Sequence, residues 1–120
     1  MLMIDPVPTT IVETPAFLSA TRKMLDDEER EALADFLAYN PLAGDVIAGT
    51  GGIRKLRWAL PGRGKSGGAR VIYYYHDARI PLFLLNAYAK NEQANLSQAE
   101  RNAYRLVVAA ITAVLKEHER

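Results

Sequence analysis

Cysteine is absent from the 120-residue chain, so neither a disulfide nor a thiolate-bound metal can form. The two histidines, His76 and His118, do not have the spacing of metal ligands, and we expect no metal and no cofactor. No uninterrupted apolar run approaches the roughly 20 residues of a membrane span, and no signal peptide is recognisable at the start. These absences predict a cytoplasmic protein without a membrane partner.

Length and composition limit the number of domains. A chain of 120 residues with 49% hydrophobic residues can bury one core but has no room for a second. The sequence contains no internal repeat and no low-complexity tract. We therefore expect a single domain over residues 1–120.

Acidic residues are missing from the middle of the chain. Residues 1–45 hold nine acidic and three basic side chains, whereas residues 46–76 hold six basic and no acidic ones. The formal net charge of +1 conceals this division. A cluster of one sign favours phosphate or another polyanion as a partner, although a solvated basic surface would have the same composition. The six basic residues are Arg54, Lys55, Arg57, Arg63, Lys65 and Arg70.

Helix signals occur near both ends of the chain. "TTIVET" at 9–14 is typical of a short strand, and Pro15 suits the first position of a following helix. Asp26 and Glu29 form the pattern of a capping box at the start of a second helix. Ser97 and Glu100 repeat this pattern before an apolar stripe that predicts the last helix.

Three strand-like segments lie between these helices: "IRKLRWAL", "ARVIYYYH" and "IPLFLLNAYAK". The predicted fold is α+β, a small antiparallel sheet made of this meander and the N-terminal strand, packed with two N-terminal helices and one C-terminal helix. Alternation assigns one face to the core, namely Leu56, Trp58, Val71, Tyr73, Tyr75, Phe83, Leu85, Ala87 and Ala89. The other face would gather Lys55, Arg57, Arg70, Ile72, Tyr74, His76, Asn86, Tyr88 and Lys90.

The stretch "ALPGRGKS" at 59–66 has the spacing of a relaxed nucleotide-binding loop. Such a loop requires a helix after it, whose N-terminus binds the phosphates. Here "GGARVIYYYH" follows, which predicts a strand, so we expect a hairpin loop and no nucleoside triphosphate. The cations at its tip, Arg63 and Lys65, are candidates for binding RNA phosphates.

Three stretches, "GDVIAGTGGIRKLRW", "GKSGGARVIYYY" and "LLNAYAKNEQANLS", resemble the RelE/HigB group of bacterial type II toxins, and HigB-like members most of all. The resemblance runs from about Asp26 to the end of the last helix. It implies a small α/β toxin that enters the ribosomal A site and cuts mRNA there. It also implies a cognate antitoxin, which we expect to be a helix-turn-helix protein.

The resemblance implies functional roles for Lys55 and Arg57 on the first strand of the meander and for Arg70 at the start of the next. Lys90 matches a basic position after the last strand, and either Tyr88 or Tyr74 would replace a tyrosine for which this chain has no counterpart in register. The candidate catalytic residues are Lys55, Arg57, Arg70, Lys90, Tyr88 and His76. The candidate RNA- or ribosome-binding residues are Arg54, Arg63, Lys65, Tyr74, Asn86 and Asn91.

Cations on a sheet face can stabilise the additional negative charge of a phosphoryl transition state, and arginine does so with two parallel hydrogen bonds. Lys55, Lys90 or His76 would transfer a proton, histidine being the side chain that titrates nearest to neutral pH. Two other functions are compatible with the same sequence: a ParE-like inhibitor of DNA gyrase without nuclease activity, and an inactive RNA-binding relic. The charge pattern predicts an antitoxin that covers Lys55, Arg57 and Arg70, although binding elsewhere would also block the ribosome.

Overall fold

The computed structural model describes residues 7–60, 68–92 and 95–118. The predicted loop cations Arg63 and Lys65 lie outside the described residues. The elements follow in the order β1 (Ile11–Glu13), α1 (Pro15–Thr21), α2 (Asp27–Tyr39), β2 (Asp45–Val46), β3 (Arg54–Trp58), β4 (Ala69–Tyr74), β5 (Leu82–Ala89) and α3 (Gln98–His118).

The strands form one sheet in the order β1-β5-β4-β3-β2, which confirms the predicted α+β class. The pairs β2–β3, β3–β4 and β4–β5 are antiparallel, as the predicted meander requires. Strand β1 pairs with β5 in parallel, so the sheet is mixed and not purely antiparallel. The pairing of Trp58 with Ala69 confirms that a hairpin joins β3 to β4.

The helices begin at the residues that the sequence indicates. Asp26 accepts the backbone N–H of Glu29 at 2.7 Å, and Glu29 accepts the N–H of Asp26 at 2.9 Å. Ser97 and Glu100 make the same reciprocal pair at the start of α3, with distances of 3.0 and 3.1 Å. These bonds satisfy backbone donors that have no partner within the first helical turn.

The main core lies between α1, α2 and one face of the sheet. Phe17, Leu33 and Leu37 are fully buried against Val71 and Tyr73, among others. The Tyr73 hydroxyl accepts the Gly44 N–H at 2.8 Å and donates to the Pro41 carbonyl at 2.9 Å. These two hydrogen bonds attach the segment between α2 and β2 to the sheet.

The second face of the sheet is also covered. Ile72, Tyr74 and Tyr88 are buried together with Val108 of α3. The sequence correctly assigned these three sheet residues to the face opposite the main core. It did not anticipate that the apolar stripe of α3 covers much of that face, so the predicted open surface is confined to its uncovered part.

A β-bulge changes the side-chain alternation of β5. Ile72 pairs with Asn86, but the next residue, Tyr73, pairs with Leu84, so Leu85 has no partner on β4. Leu84 lies in the main core and Leu85 packs on the α3 side, whereas the sequence placed Leu85 and Phe83 in the main core. That assignment was wrong because one extra residue in a strand puts the side chains on one side of the bulge out of phase with those on the other side.

Trp58 borders the main core and is only partly buried, with its ring 5.5 Å from the ring of Phe36 and tilted by 50°. Three glycines in the loop before β3 have positive φ, a conformation that favours glycine: Gly49 at 78°, Gly51 at 81° and Gly52 at 121°. A helix able to cross a membrane is not found anywhere in the described part of the chain.

Candidate functional site

Three side chains form a row across the sheet on the face that α3 partly covers. Arg57 of β3 pairs directly with Arg70 of β4, and Arg70 pairs with Tyr88 of β5. Directly opposed residues have Cβ atoms roughly 5 Å apart, and like charges at this distance destabilise a sheet. An anion bound between the two guanidinium groups would remove this repulsion.

Lysines flank the row on both sides along the direction of the strands. Lys55 lies two residues before Arg57 on the same face and pairs with Ile72. The Lys90 N–H donates to the Gly68 carbonyl at 3.0 Å, which places Lys90 two residues beyond Tyr88 on that face. We call the group Lys55, Arg57, Arg70, Tyr88 and Lys90 the cationic end. Its members come from three strands and meet only because the sheet folds as predicted.

Among the described residues the cationic end forms no ion pair with an acidic side chain, although Asp45 of β2 lies opposite Lys55 in the sheet. Within residues 7–60, 68–92 and 95–118, ion pairs to Lys55, Arg57, Arg70 or Lys90 are absent. Arg57 and Lys90 are exposed, and Lys55 and Arg70 are partly exposed. Cations that are accessible and unpaired are available to an anionic ligand.

Tyr88 contributes a buried hydroxyl beside these cations. The residue is 5% exposed, and its Oη has no hydrogen-bond partner in the described structure. Burial raises the pKa of Tyr88, an effect that the charge of Arg70 partly opposes. The phenol is therefore protonated at neutral pH and can donate a hydrogen bond, but it cannot act as a base.

Two residues of α3 complete the surroundings of Tyr88, and the sequence did not identify them as part of the site. Burial raises the pKa of Tyr104. A hydrogen bond from Asn86 lowers this pKa, and the charge of Glu100 raises it. Glu100 also raises the pKa of Tyr88, so its carboxylate lies near both phenols. Tyr104 lies on the side of α3 that packs against the sheet, and which strand it meets depends on how the helix crosses the sheet.

His76 and Tyr74 lie at the other end of β4. His76 is six residues from Arg70, which corresponds to roughly 20 Å along an extended strand. The Tyr74 hydroxyl is 3.0 Å from His76 Nδ1, and Asp77 Oδ2 is 3.5 Å from His76 Nε2. Arg79 binds Asp77 at 2.7 Å and lowers the pKa of that carboxyl to about 2. We call Tyr74, His76, Asp77 and Arg79 the histidine end.

The remaining candidates are dispersed. Arg54 donates to the carbonyls of Gly44 at 2.7 Å and Leu42 at 3.3 Å, so its guanidinium anchors the segment before β2. The Asn86 side chain accepts the N–H of Ala87 at 2.9 Å at the bulge. Asn91 is exposed in the turn that follows β5. The structure thus brings Lys55, Arg57, Arg70, Tyr88 and Lys90 together and separates them from His76.

A cavity of about 510 Å³ adjoins the cationic end on the side of β2. Its walls include Ala43, Asp45 and Ile47 together with Lys55 and Arg57. Groups of three or more potential metal ligands are not found among the described residues.

Accessible cations on one sheet face of a small α+β domain can bind an anionic ligand. The chain matches the family described as the RelE toxin of the RelE / RelB toxin-antitoxin system over residues 17–119. The protein belongs to this family, which confirms the predicted RelE-like toxin and implies a cognate antitoxin. That this antitoxin is a helix-turn-helix protein stays a prediction. The match is to the family as a whole, and closer kinship with HigB-like members stays a prediction.

Proposed function

We propose that this toxin is a ribosome-dependent endoribonuclease that stops translation by cutting mRNA in the ribosomal A site. The observation that carries the proposal is the row of Arg57, Arg70 and Tyr88, whose positive charge is not neutralised by carboxylates of the described residues. Membership in the RelE family supports a toxin that acts on translation.

The reaction uses a nucleophile that RNA itself provides. The 2′-oxygen attacks the adjacent phosphorus, the bond from phosphorus to the 5′-oxygen breaks, and the products carry a 2′,3′-cyclic phosphate and a 5′-hydroxyl. Arg57 and Arg70 bind the non-bridging phosphate oxygens and stabilise the charge that accumulates on them. Lys90 or Lys55 donates a proton to the departing 5′-oxygen and is reprotonated from solvent, which takes up the proton that the 2′-hydroxyl loses.

Tyr88 adds a neutral donor to this arrangement. Its hydroxyl is protonated at neutral pH and has no partner in the described structure. Because the hydroxyl is buried, it would donate to a phosphate oxygen near Arg70 only if the side chains that cover it move aside when RNA binds. The cavity beside Lys55 and Arg57 would hold the base of a neighbouring nucleotide.

Dependence on the ribosome follows from what the cationic end does not provide. Glu100 is a carboxylate whose charge acts on Tyr88, and its Oε1 already accepts the Ser97 N–H at 3.0 Å. Without a strong base, the rate depends on holding the 2′-oxygen in line with the scissile bond. The ribosomal A site would impose that geometry on the codon.

The test maps mRNA ends after the toxin is produced without its antitoxin. Primer extension on a translated message should reveal new 5′ ends within codons, and the same message with a disabled start codon should remain intact. Cleavage that is equal on both messages would contradict ribosome dependence. Intact messages together with inhibited DNA supercoiling would instead indicate the gyrase-directed activity of a ParE-like protein.

A further inference from the structure

The cavity beside the cationic end has an acidic residue among basic and apolar ones. Its volume is about 510 Å³, and its walls include Lys55, Arg57 and Asp45. A carboxylate repels the phosphates of RNA, so an acidic side chain next to two cations assigned to RNA weakens binding unless it has a role of its own. The position and the surroundings of Asp45 indicate what that role is.

The sheet register places Asp45 on the same face as the cationic end. Asp45 pairs directly with Lys55, and directly opposed residues of an antiparallel pair project to the same side of the sheet. Arg57 lies two residues further along β3, so its Cα is roughly 8 to 9 Å from that of Asp45. One nucleotide bridges a separation of this size when its phosphate is bound at one end and the edge of its base at the other.

The backbone on both sides of Asp45 is held in place. The Gly44 N–H donates to the Tyr73 hydroxyl at 2.8 Å, and a Cβ at position 44 would lie 2.8 Å from the Tyr73 ring. The Ile47 N–H donates to the Ile53 carbonyl at 2.8 Å, which continues the pairing of β2 with β3. A side chain on a fixed backbone loses little freedom when it binds a ligand, and it therefore discriminates well between similar ligands.

The carboxylate of Asp45 is accessible to a ligand. The residue is exposed, and it takes no part in the ion pairs of the described residues, although Lys55 lies opposite. An exposed cross-strand pair of opposite charge contributes little to stability, so charge balance with Lys55 is a weak reason for an acid at this position. Within the described structure, both carboxylate oxygens remain open to hydrogen-bond donors.

Apolar residues on either side of Asp45 suit a flat ring. Ala43 and Ile47 are each two positions from Asp45, and both line the cavity. The small side chain of Ala43 leaves room for a ring, and Ile47 offers an apolar contact to its surface. Proteins read unpaired RNA bases through hydrogen bonds to edges such as the Watson–Crick edge. A carboxylate between two apolar side chains has the composition of such a base-binding site.

The chemistry of a carboxylate decides which base it would bind. An ionised carboxylate only accepts hydrogen bonds, so it selects a base that offers donors. Guanine presents N1–H and N2–H side by side on its Watson–Crick edge, and these two donors match the two carboxylate oxygens. Adenine and cytosine each place one donor beside a ring nitrogen that is an acceptor, and uracil places its N3–H between two carbonyl oxygens. These acceptors repel a carboxylate, which leaves guanine as the base that Asp45 binds with two hydrogen bonds.

We propose that Asp45 is a specificity-determining residue that binds the Watson–Crick edge of a guanine flanking the scissile phosphate, with the base in the cavity beside Lys55 and Arg57. This inference rests on the proposed endoribonuclease activity. Asp45 takes no part in the bond changes at phosphorus, so it selects the substrate and is not a catalytic residue. A contact with two hydrogen bonds discriminates between bases by roughly 5- to 100-fold, and the toxin would cut guanine codons faster by about this factor.

The experiment measures single-turnover cleavage on programmed ribosomes by full-length toxin that was separated from its co-expressed antitoxin in denaturant and refolded. The messages differ in a single nucleotide on one or the other side of the mapped cleavage site. We expect the wild type to prefer guanine over adenine at one of these positions by roughly 5- to 100-fold. Asp45→Asn exchanges one acceptor oxygen for an amide donor, a pattern that matches adenine, so its ratio should fall to about one or favour adenine.

Asp35→Asn is the matched control and should keep the wild-type ratio, because Asp35 is an exposed carboxylate of α2 outside the cavity. Urea unfolding establishes that each variant is folded. A wild type that cuts all four bases at similar rates would overturn the inference. An Asp45→Asn variant that slows every message equally would also overturn it, since Asp45 would then only position Lys55.

These two results would leave the proposed activity standing, because the toxin still cuts mRNA in both. A wild type that cuts none of the messages would contradict the endoribonuclease activity itself, and the inference about Asp45 with it. The ratio between bases therefore tests the role of Asp45, and the presence of any cleavage tests the function on which that role rests.

Discussion

The two ends of β4 carry the same kinds of side chain in opposite electrostatic states. At the cationic end, Arg57 and Arg70 are adjacent and have no acidic partner among the described residues. At the histidine end, Arg79 binds Asp77 at 2.7 Å, and Asp77 lies 3.5 Å from His76. A basic residue whose charge is already balanced has less to offer an anion. A cluster of basic residues therefore indicates an anion-binding site only where the fold does not place carboxylates against them.

The largest difference between the ends should appear when one arginine is removed from each. Arg70→Ala should slow single-turnover cleavage on programmed ribosomes by about 100- to 1000-fold, because a fixed donor to the transition state is lost. Arg79→Ala should change the rate by no more than about threefold, since its ion pair lies on the surface. Equal losses in the two variants would eliminate the distinction between the ends.

Tyrosine-to-phenylalanine substitutions compare the buried hydroxyl of Tyr73, which has hydrogen-bond partners, with that of Tyr88, which has none in the described structure. Tyr73→Phe removes the hydroxyl that binds Gly44 and Pro41 and should cost about 1 to 3 kcal/mol of unfolding free energy. Tyr88→Phe removes a hydroxyl without a partner and should leave stability unchanged or raise it by up to about 1 kcal/mol. It should still reduce cleavage. Urea unfolding beside the cleavage assay separates the two effects, and a destabilised Tyr88→Phe would indicate a structural role for that hydroxyl.

Trp58→Ala tests the edge of the main core next to Arg57. Truncating a fully buried tryptophan to alanine would lower the free energy of unfolding by roughly 3 to 5 kcal/mol. Trp58 is partly exposed and packs on Phe36, so we expect a loss of about 1 to 3 kcal/mol. Chemical denaturation measures the loss, with Tyr39→Ala as the control for a 55% exposed aromatic residue. A loss as large as that of a fully buried residue would show that the Trp58 side chain is better packed than its contacts indicate.

The smallest effect concerns pH at the histidine end. Arg79 lowers the pKa of Asp77 from 3.8 to about 2, so the ionised carboxylate stabilises the fold above pH 4 and this contribution disappears as pH falls from about 4 to about 2. Arg79→Ala should return the pKa of Asp77 towards its ordinary value and leave stability at pH 7 nearly unchanged. NMR titration of the Asp77 carboxyl carbon measures the pKa directly, and a value still near 2 in the variant would contradict the assigned cause.

Local patterns were sufficient to predict the helix starts and most strand faces. The capping boxes at Asp26 and Ser97 involve residues three positions apart, so they can be recognised without the fold. Alternation along β3 and β4 correctly separated Arg57 from Leu56 and Arg70 from Val71. This worked because side chains of an uninterrupted strand have a period of two.

The parts that could not be predicted depend on how distant segments meet. The bulge at Leu85 shifts the alternation of β5, and no local residue pattern marks it. The burial of Tyr88 beneath α3, and the proximity of Glu100 and Tyr104, depend on the path of the helix over the sheet. Alternation placed His76 on the same face as Arg70, but it did not weigh the distance between them along the strand.

The most direct test of the central claim compares His76→Asn with Arg57→Ala in single-turnover cleavage on ribosomes at neutral pH. Asparagine places an amide nitrogen near the position of Nδ1, so the contact with Tyr74 has a substitute. We expect His76→Asn to cleave within about threefold of the wild-type rate and Arg57→Ala to be slower by roughly 100-fold. A folded His76→Asn variant that loses activity as severely as Arg57→Ala would contradict the assignment of the chemistry to the cationic end.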